Sequence, residues 1–475
     1  MKFAFFTFSG YSLPIAKRLL DEGNEVLVGM VSSPEKLNVD GWQGRKESAE
    51  EKKRRLSLYD NILDKLDADA LLKQLRFNKD KDKEEYFIVV DHNNLCEYGE
   101  KLLELGFTGF IPNRADYELE KDRAKAKRFV EKNYDVLQVP EGYSLKKAQE
   151  GIDLVNDSDN LWVLKSDGNL GATIVPKTKD VRLNHMQIIG ALKTDAKDYE
   201  EGGYLLEKKI ANPIEFTPEL VFWNGEPIYS QVELECKPIG AADTGPDGGG
   251  AINLVIRTDL NDPINELFFP KVVYKLAKSR RGLFIFDAGV LYDPDEAIFY
   301  FTEFAGNRWS WGGVFSELAM ATEKNRNATE YFSRVSSGKN PLRYKYGATI
   351  SFYNVAPDKK FASLEVQDLP VYFKRAAEEY LWLFQVRKDK DSNSLINVGC
   401  GDILLGYASA CGNSLSATIS SAYKIVDNLS FKELLYRPKS DYLSKDYSSS
   451  ILNRFDFLNG SYINVAESSS DRKVA

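Results

Sequence analysis

Apolar and polar positions alternate along the chain in two rhythms. Residues 2–8, Lys-Phe-Ala-Phe-Phe-Thr-Phe, form a short apolar run closed by Ser9-Gly10. An amphipathic stretch from Ser12 to Glu22 follows, Gly23 stops it, and a second apolar run covers Val26 to Val31. Strand, helix, strand in that order predicts a βαβ opening and the start of a parallel sheet. A further strand over Tyr86–Val90 ends in Asp91-His92-Asn93-Asn94, and a helix then reaches Leu105-Gly106. A short strand leads to Ile111-Pro112-Asn113. Polar residues after strand ends in such sheets line the ligand crevice, although His92 could equally cap a turn. Arg45 to Arg55 is charged on all sides and reads as a solvated helix or loop.

Past a long basic helix over Leu119–Asn133 the rhythm turns to period two. Strands are expected around Lys165, at Tyr204–Glu207, Glu219–Trp223 and Ile228–Glu233, with Asn224-Gly225 as a tight hairpin turn. Phe284–Tyr292 and Ala297–Phe304 read as an antiparallel pair turning at Asp293-Pro294-Asp295, followed by helix from Phe315 to Ser337. From Tyr346 a third section holds strands Ala348–Tyr353 and Ile403–Ala408 and a helix over Ser414–Asn428. The class is therefore mixed, α/β at the start and α+β after it.

Composition narrows the functions. With 475 residues the chain exceeds one hydrophobic core, so two to four domains are expected. No apolar run approaches the roughly 20 residues that cross a bilayer, and the first run reads as a buried strand rather than a signal peptide. Four separated cysteines without a CxxC pair fit a reducing cytoplasm better than a zinc site. A net charge of −8 argues against a general nucleic-acid binder. Two histidines, His92 and His185, leave little room for chemistry that needs several imidazoles.

One arrangement does carry chemistry. Lys165 stands on the apolar strand Trp162-Val163-Leu164-Lys165-Ser166, a polar glycine-rich stretch runs from Asp243 to Gly250, and an acidic strand ends Thr302-Glu303-Phe304. A lysine cancels phosphate charge, glycine amides reach phosphate oxygens, and carboxylates hold a hard cation. Asp287 and Glu303 lie in strands otherwise apolar, where an unpaired charge is costly. A metal or a salt bridge must account for them if they point inward.

These stretches resemble, in colinear order to about Tyr442, the glycinamide ribonucleotide synthetases (phosphoribosylamine–glycine ligases) of the ATP-grasp superfamily. Asp243-Thr244-Gly245-Pro246-Asp247 looks like that family's signature loop and Val163–Gly168 like its nucleotide-binding strand. Pro112-Asn113 through Phe129 resembles the entry to its ATP-grasp domain. Ala408–Leu415 with Ala422-Tyr423 and Leu435-Tyr436-Arg437 resembles its C-terminal domain. The resemblance implies a Rossmann-like domain over 1–118, a two-lobed ATP-grasp domain over 119–340, a C-terminal domain over 341–447 and an extension over 448–475. It implies ATP with magnesium or manganese, and an acyl phosphate made from a carboxylate and resolved by an amine. Lys165 and Arg123 would contact phosphates, and both count with Asp243 as catalytic. Glu207 would meet adenine and Glu215 the ribose. Asp287, Glu303 and Asn307 would hold the metal. Tyr11, Ser12, His92, Asn93, Lys237, Asp243, Thr244, Gly245 and Arg308 would bind the substrates.

Departures fall mainly at the substrate end. Ser9–Leu13 replaces the family's glycine-rich turn with Arg-Glu-His, and Asp91–Asn94 replaces its Pro-Glu-Ala-Pro loop. Asn169–Thr173 is a shortened phosphate-covering loop, and Arg308–Gly313 replaces Arg-Phe-Gly-Asp-Pro-Glu. The expected partners are thus a small carboxylate and a small amine other than the family's own, handled by a cytoplasmic monomer or weak homodimer. A diverged homologue that binds nucleotide without catalysis is the alternative.

Overall fold

The first strand, Lys2–Thr7, is buried on both faces because helices cover the parallel sheet above and below. The computed structural model describes residues 1–32, 47–166, 173–245, 247–305, 312–321, 328–354, 367–400, 404–443 and 450–460. Strand Lys2–Thr7 pairs in parallel with Glu25–Met30 and Tyr86–Val90, and Lys65–Asp67 and Thr108–Phe110 extend the sheet on either side. The helix Leu13–Asp21 joins the first two strands, as the apolar spacing predicts.

At Thr108–Phe110 the sheet continues through a single parallel register, Leu283↔Phe110, into an antiparallel half. Leu283–Asp287, Ile214–Trp223, Glu226–Pro238, Asp247–Thr258, Tyr346–Asn354, Leu404–Gly412 and Leu381–Leu383 follow one another there. Asn224 and Gly225 both take positive φ (49° and 84°) in the hairpin turn, the conformation that a two-residue turn of matching twist demands. Strand Glu226–Pro238 alternates in side-chain type although both its faces are buried from Ile228 to Leu234. Ile228, Val232, Leu234 and Cys236 are buried apolar side chains, while Gln231, Glu233, Glu235 and Lys237 share the opposite face.

A separate three-stranded sheet joins Gly142–Leu145, Tyr204–Lys208 and Trp162–Ser166. Trp162, Leu164, Tyr204 and Leu206 pack on helices Ala148–Asn156 and Val181–Thr194. Period two therefore leaves Val163, Lys165, Leu205 and Glu207 on the face away from those helices.

Five expectations are corrected. The basic helix is two helices, Arg114–Lys121 and Arg123–Asn133, because the Asp122 side chain accepts from the Lys125 amide (2.7 Å) and caps a new start. Arg55, expected on a solvated surface, is buried. Its guanidinium donates to the Phe8 and Val31 carbonyls (3.2 and 2.8 Å), pairs with Glu47 (2.6 Å) and lies 4.0 Å from the Phe8 ring centroid. The strand expected over Phe284–Tyr292 breaks at Ala288-Gly289. Leu283–Asp287 pairs with Ile214–Trp223, and only Val290–Asp293 pairs with Ile298–Phe301. The polar stretch after Asp243 is shorter than read, since Asp247–Thr258 is strand. Helices Gly312–Met320 and Ala328–Ser336 cover the antiparallel half where one stretch was read.

Candidate active site

Helix Arg123–Asn133 lies between the small sheet and the large one and projects Arg123 and Lys127 one turn apart. Glu207 receives ion pairs from both Lys127 and Lys165 and is almost fully buried. Burial alone would raise its carboxyl, but Lys165 and Lys127 outweigh burial and hold it below the usual carboxylate range. Arg123 pairs with Glu303 at 3.3 Å, and Lys237 pairs with Glu215 at 3.1 Å and approaches Glu235 at 4.0 Å. Glu303 is held low against burial by Arg123, Lys237 and Lys165, which ties the pairs into one electrostatic group. Glu215 is likewise held low, against burial, by Lys237 and Arg454. Glu303 and Glu215 keep about two-fifths of their side-chain surface in solvent (44% and 37%), so their pairs are screened and weaker than that of Glu207.

Of the residues read from the sequence, Arg123, Lys165, Glu207, Glu215, Lys237 and Glu303 are thus brought together. For Glu303 the salt bridge is the partner seen. Asp287 stands in register beside Glu219, and its Oδ1 accepts from the Ala305 amide at 2.6 Å, fixing the chain just after Glu303. Asn307 and Arg308 lie outside the described residues, as does the Asn169–Ala172 stretch. Among the described residues no group of three or more His, Cys, Asp or Glu side chains is arranged around a metal position.

The signature-like loop is held from the C-terminal side. Arg437, buried, pairs with Asp243 at 2.8 Å, and the Asp441 carboxylate accepts from the Ala242 amide at 2.6 Å. Ala242 and Asp243 both take positive φ (50° and 59°), a strained state that persists only where surroundings over-determine it. Thr244 donates to the Ala241 carbonyl (2.6 Å), and Gly245 closes the turn with φ 79°.

The remaining substrate candidates sit at the ends of the parallel strands. The Ser12 hydroxyl and amide both donate to the Asp91 carboxylate (2.9 and 3.2 Å), placing an internal anion at the start of helix Leu13–Asp21. Burial pushes Asp91 up to about 6, against hydrogen bonds from Thr7 and Ser12. His92 Nδ1 accepts from the Asn94 amide (3.1 Å), so it caps the turn, and Asn93 donates to Glu120. Tyr11 meets Phe384 edge-on at 5.5 Å.

Deeper on the same sheet face lies a second acidic group that sequence reasoning missed. Glu219 and Glu317 both accept from the Gln231 amide nitrogen, and Glu317 also accepts from Tyr229 and Tyr331 (2.5 and 2.9 Å). Asn253 donates to Glu233 (2.5 Å) and to Glu235 (3.3 Å). Among the described residues no lysine, arginine or histidine nitrogen comes within 4.0 Å of Glu219, Glu233 or Glu317. Burial first, then neighbouring carboxylates, raises Glu219 and Glu233, and burial raises Glu317. Burial and neighbouring carboxylates thus disfavour the ionised form across the group. The alternation Gln231, Glu233, Glu235, Lys237 was the available signal, and Lys127, four residues after Arg123, was another.

The fold can be compared with solved structures. It is similar to phosphoribosylamine–glycine ligase from Thermotoga maritima, with TM-score 0.59 and 15% identity over 92% of this chain and 99% of that one. The biotin carboxylase domain of the Hydrogenobacter thermophilus 2-oxoglutarate carboxylase, solved with MgADP, ADP and bicarbonate, gives 0.54 at 13% identity, over 91% of each chain. Phosphoribosylglycinamide synthetase from Anaerococcus prevotii gives 0.51 at 11%, over 90% of this chain and 98% of that one. No protein-family model matches the chain, and no curated protein matches it in sequence. The resemblance read from the sequence therefore holds at the level of the fold, which these enzymes share with a chain otherwise far from them.

Proposed function

We propose that this protein is an ATP- and magnesium-dependent carboxylate–amine ligase. In this reading 1–118 is the Rossmann-like domain, 119–340 the ATP-grasp domain, 341–447 the C-terminal domain and 448–475 an extension. The observation that carries it is the group Arg123, Lys127, Lys165 and Lys237, four cations from helix Arg123–Asn133, the small sheet and the large sheet, paired with Glu207, Glu303 and Glu215. A triphosphate entering this group exchanges carboxylate partners for phosphate oxygens, with the cations already in place. Phosphoryl transfer needs mainly such neutralisation and alignment. Lys165, Lys127 and Arg123 would hold phosphates, and Glu207 and Glu215 would be released toward adenine and ribose.

Asp287 and Glu303 fit magnesium as hard oxygen donors on adjoining segments, since that ion accepts few protein ligands and completes its shell with phosphate and water. Manganese takes the same donors. Bound magnesium would neutralise charge on the phosphates. In the reaction, the carboxylate substrate attacks the γ-phosphate and releases ADP, and the amine then displaces inorganic phosphate from the acyl phosphate. The amine substrate is read as unphosphorylated, because Asp91 already fills the helix start where a phosphate would sit.

Calorimetry with ATP and magnesium, followed by phosphate release with panels of small acids and amines, tests the proposal. Lys165→Ala and Glu303→Ala are each expected to lower phosphate release by about 100-fold or more. Full activity in either variant removes that residue from the mechanism. Binding without release under any substrate pair would favour a nucleotide-binding homologue instead.

A further inference from the structure

The helix Ile451–Gly460 lies past the end of the family resemblance at about Tyr442. Strands Ile214–Trp223 and Glu226–Pro238 pair only from Thr217↔Glu233 onward. Beyond that point they part. Residues 214–216 turn to Val290–Asp293, and the far end of Glu226–Pro238 stays with Asp247–Thr258. The fork leaves the Glu215 and Glu235 carbonyls facing each other without a strand between them.

Arg454 fills the fork. Its Nη1 donates to the Glu235 carbonyl (2.8 Å) and the Glu215 carbonyl (3.3 Å), and its Nη2 reaches Cys236 Sγ (3.1 Å). The side chain is 2% exposed. Its helix is anchored by Phe457, stacked on Tyr292 at 4.7 Å and near Phe216 at 6.2 Å, and by Phe455 on Tyr346 at 5.8 Å. The two carbonyls belong to the residues whose carboxylates flank Lys237, so Arg454 sets the spacing of that trio from behind. Arg437 and Asp441 do the same for the neighbouring loop. Arg437 spans the Pro238 carbonyl (3.2 Å), Asp243 (2.8 Å) and Asp441 (3.2 Å).

We infer that the C-terminal segment is a built part of the active site, with Arg454 a positioning residue that fixes Glu215, Glu235 and Lys237 at the strand fork. The effect on nucleotide rests on the ligase reading, whereas the effect on the fork does not. A guanidinium bridging two strands cannot be replaced by a single ammonium, because only its planar fork offers several donors in fixed geometry.

The test uses the full chain, wild type beside Arg454→Met and Arg454→Lys. Two readouts are taken: amide hydrogen exchange over 213–218 and 234–245, and ATP·Mg affinity by calorimetry. Arg454→Met is expected to speed exchange in both segments at least about tenfold, leave strand Lys2–Thr7 unchanged, and weaken ATP·Mg about tenfold. Arg454→Lys should show the same pattern to a smaller degree, and serves alone if the Met variant does not fold. Wild-type exchange rates in both segments of a folded variant overturn the inference. Should wild-type protein bind no ATP·Mg, the ligase reading fails while the exchange data still decide the brace.

Discussion

Two acidic groups beside the antiparallel half solve burial in opposite ways. The outer group, Glu207, Glu215 and Glu303, is matched by lysine and arginine and stays ionised. The inner group, Glu219 and Glu233 on neighbouring strands and Glu317 on helix Gly312–Met320, accepts from amide and phenol donors, and burial raises all three carboxyls. Cations offset burial in the outer group, most completely at buried Glu207 with its two lysines, while a cluster packed with helix Gly312–Met320 and lacking such cations is cheaper neutral than ionised.

Breaking the inner network should have the largest effect on stability. Glu317→Leu removes the acceptor of Tyr229, Tyr331 and Gln231 and is expected to cost about 3 kcal/mol, read by urea unfolding. Glu317→Gln, which resembles a protonated carboxyl, should cost well under half of that. Equal losses in the two variants would mean that Glu317 is ionised after all.

In the outer group, Glu207→Gln leaves Lys127 and Lys165 facing each other, an expected cost of about 2 kcal/mol. ATP·Mg should restore much of the lost melting temperature, since phosphate replaces the missing charge. Absence of any recovery would separate Glu207 from the nucleotide.

The comparison also predicts opposite pH responses. Carboxyls held low, as in the outer group, contribute stability above about pH 4.3 that is lost as pH falls through their lowered values. Carboxyls held high, as in the inner group, contribute stability below about pH 4.3 that is lost as pH rises through their raised values. Melting temperature should therefore decline on both sides. Replacing Glu219 and Glu233 together by Gln should flatten the alkaline side by up to roughly 3 kcal/mol per pH unit, about 1.4 from each carboxyl. The smallest effect belongs to Asp91→Asn, which should remove only the part of that slope between about pH 4 and its folded value of about 6. An unchanged melting profile in that variant would show that Asp91 does not titrate there.

Much of this was legible in the residues. The Phe-rich first run and the helix from Ser12 announced the parallel half, and Asn224-Gly225 announced the hairpin, because period and turn chemistry are local. Arg123, Lys165, Glu207, Glu215, Lys237 and Glu303 were all singled out from spacing or resemblance. Asp122 was overlooked as a cap because a single polar residue in a charged helix gives no periodic signal. Arg55 was read as solvated for a similar reason. Its partners, the Phe8 and Val31 carbonyls, are 47 and 24 positions away.

By itself the sequence determined most of the elements and which residues share a strand face, since both depend on near neighbours and fixed backbone periods. Only the tertiary structure decided which charges meet. Lys127 with Glu207, Arg437 with Asp243 and Arg454 with Glu215 are separated by 80 to 239 positions. Pairing over such distances is set by strand register and helix docking, which no local pattern encodes.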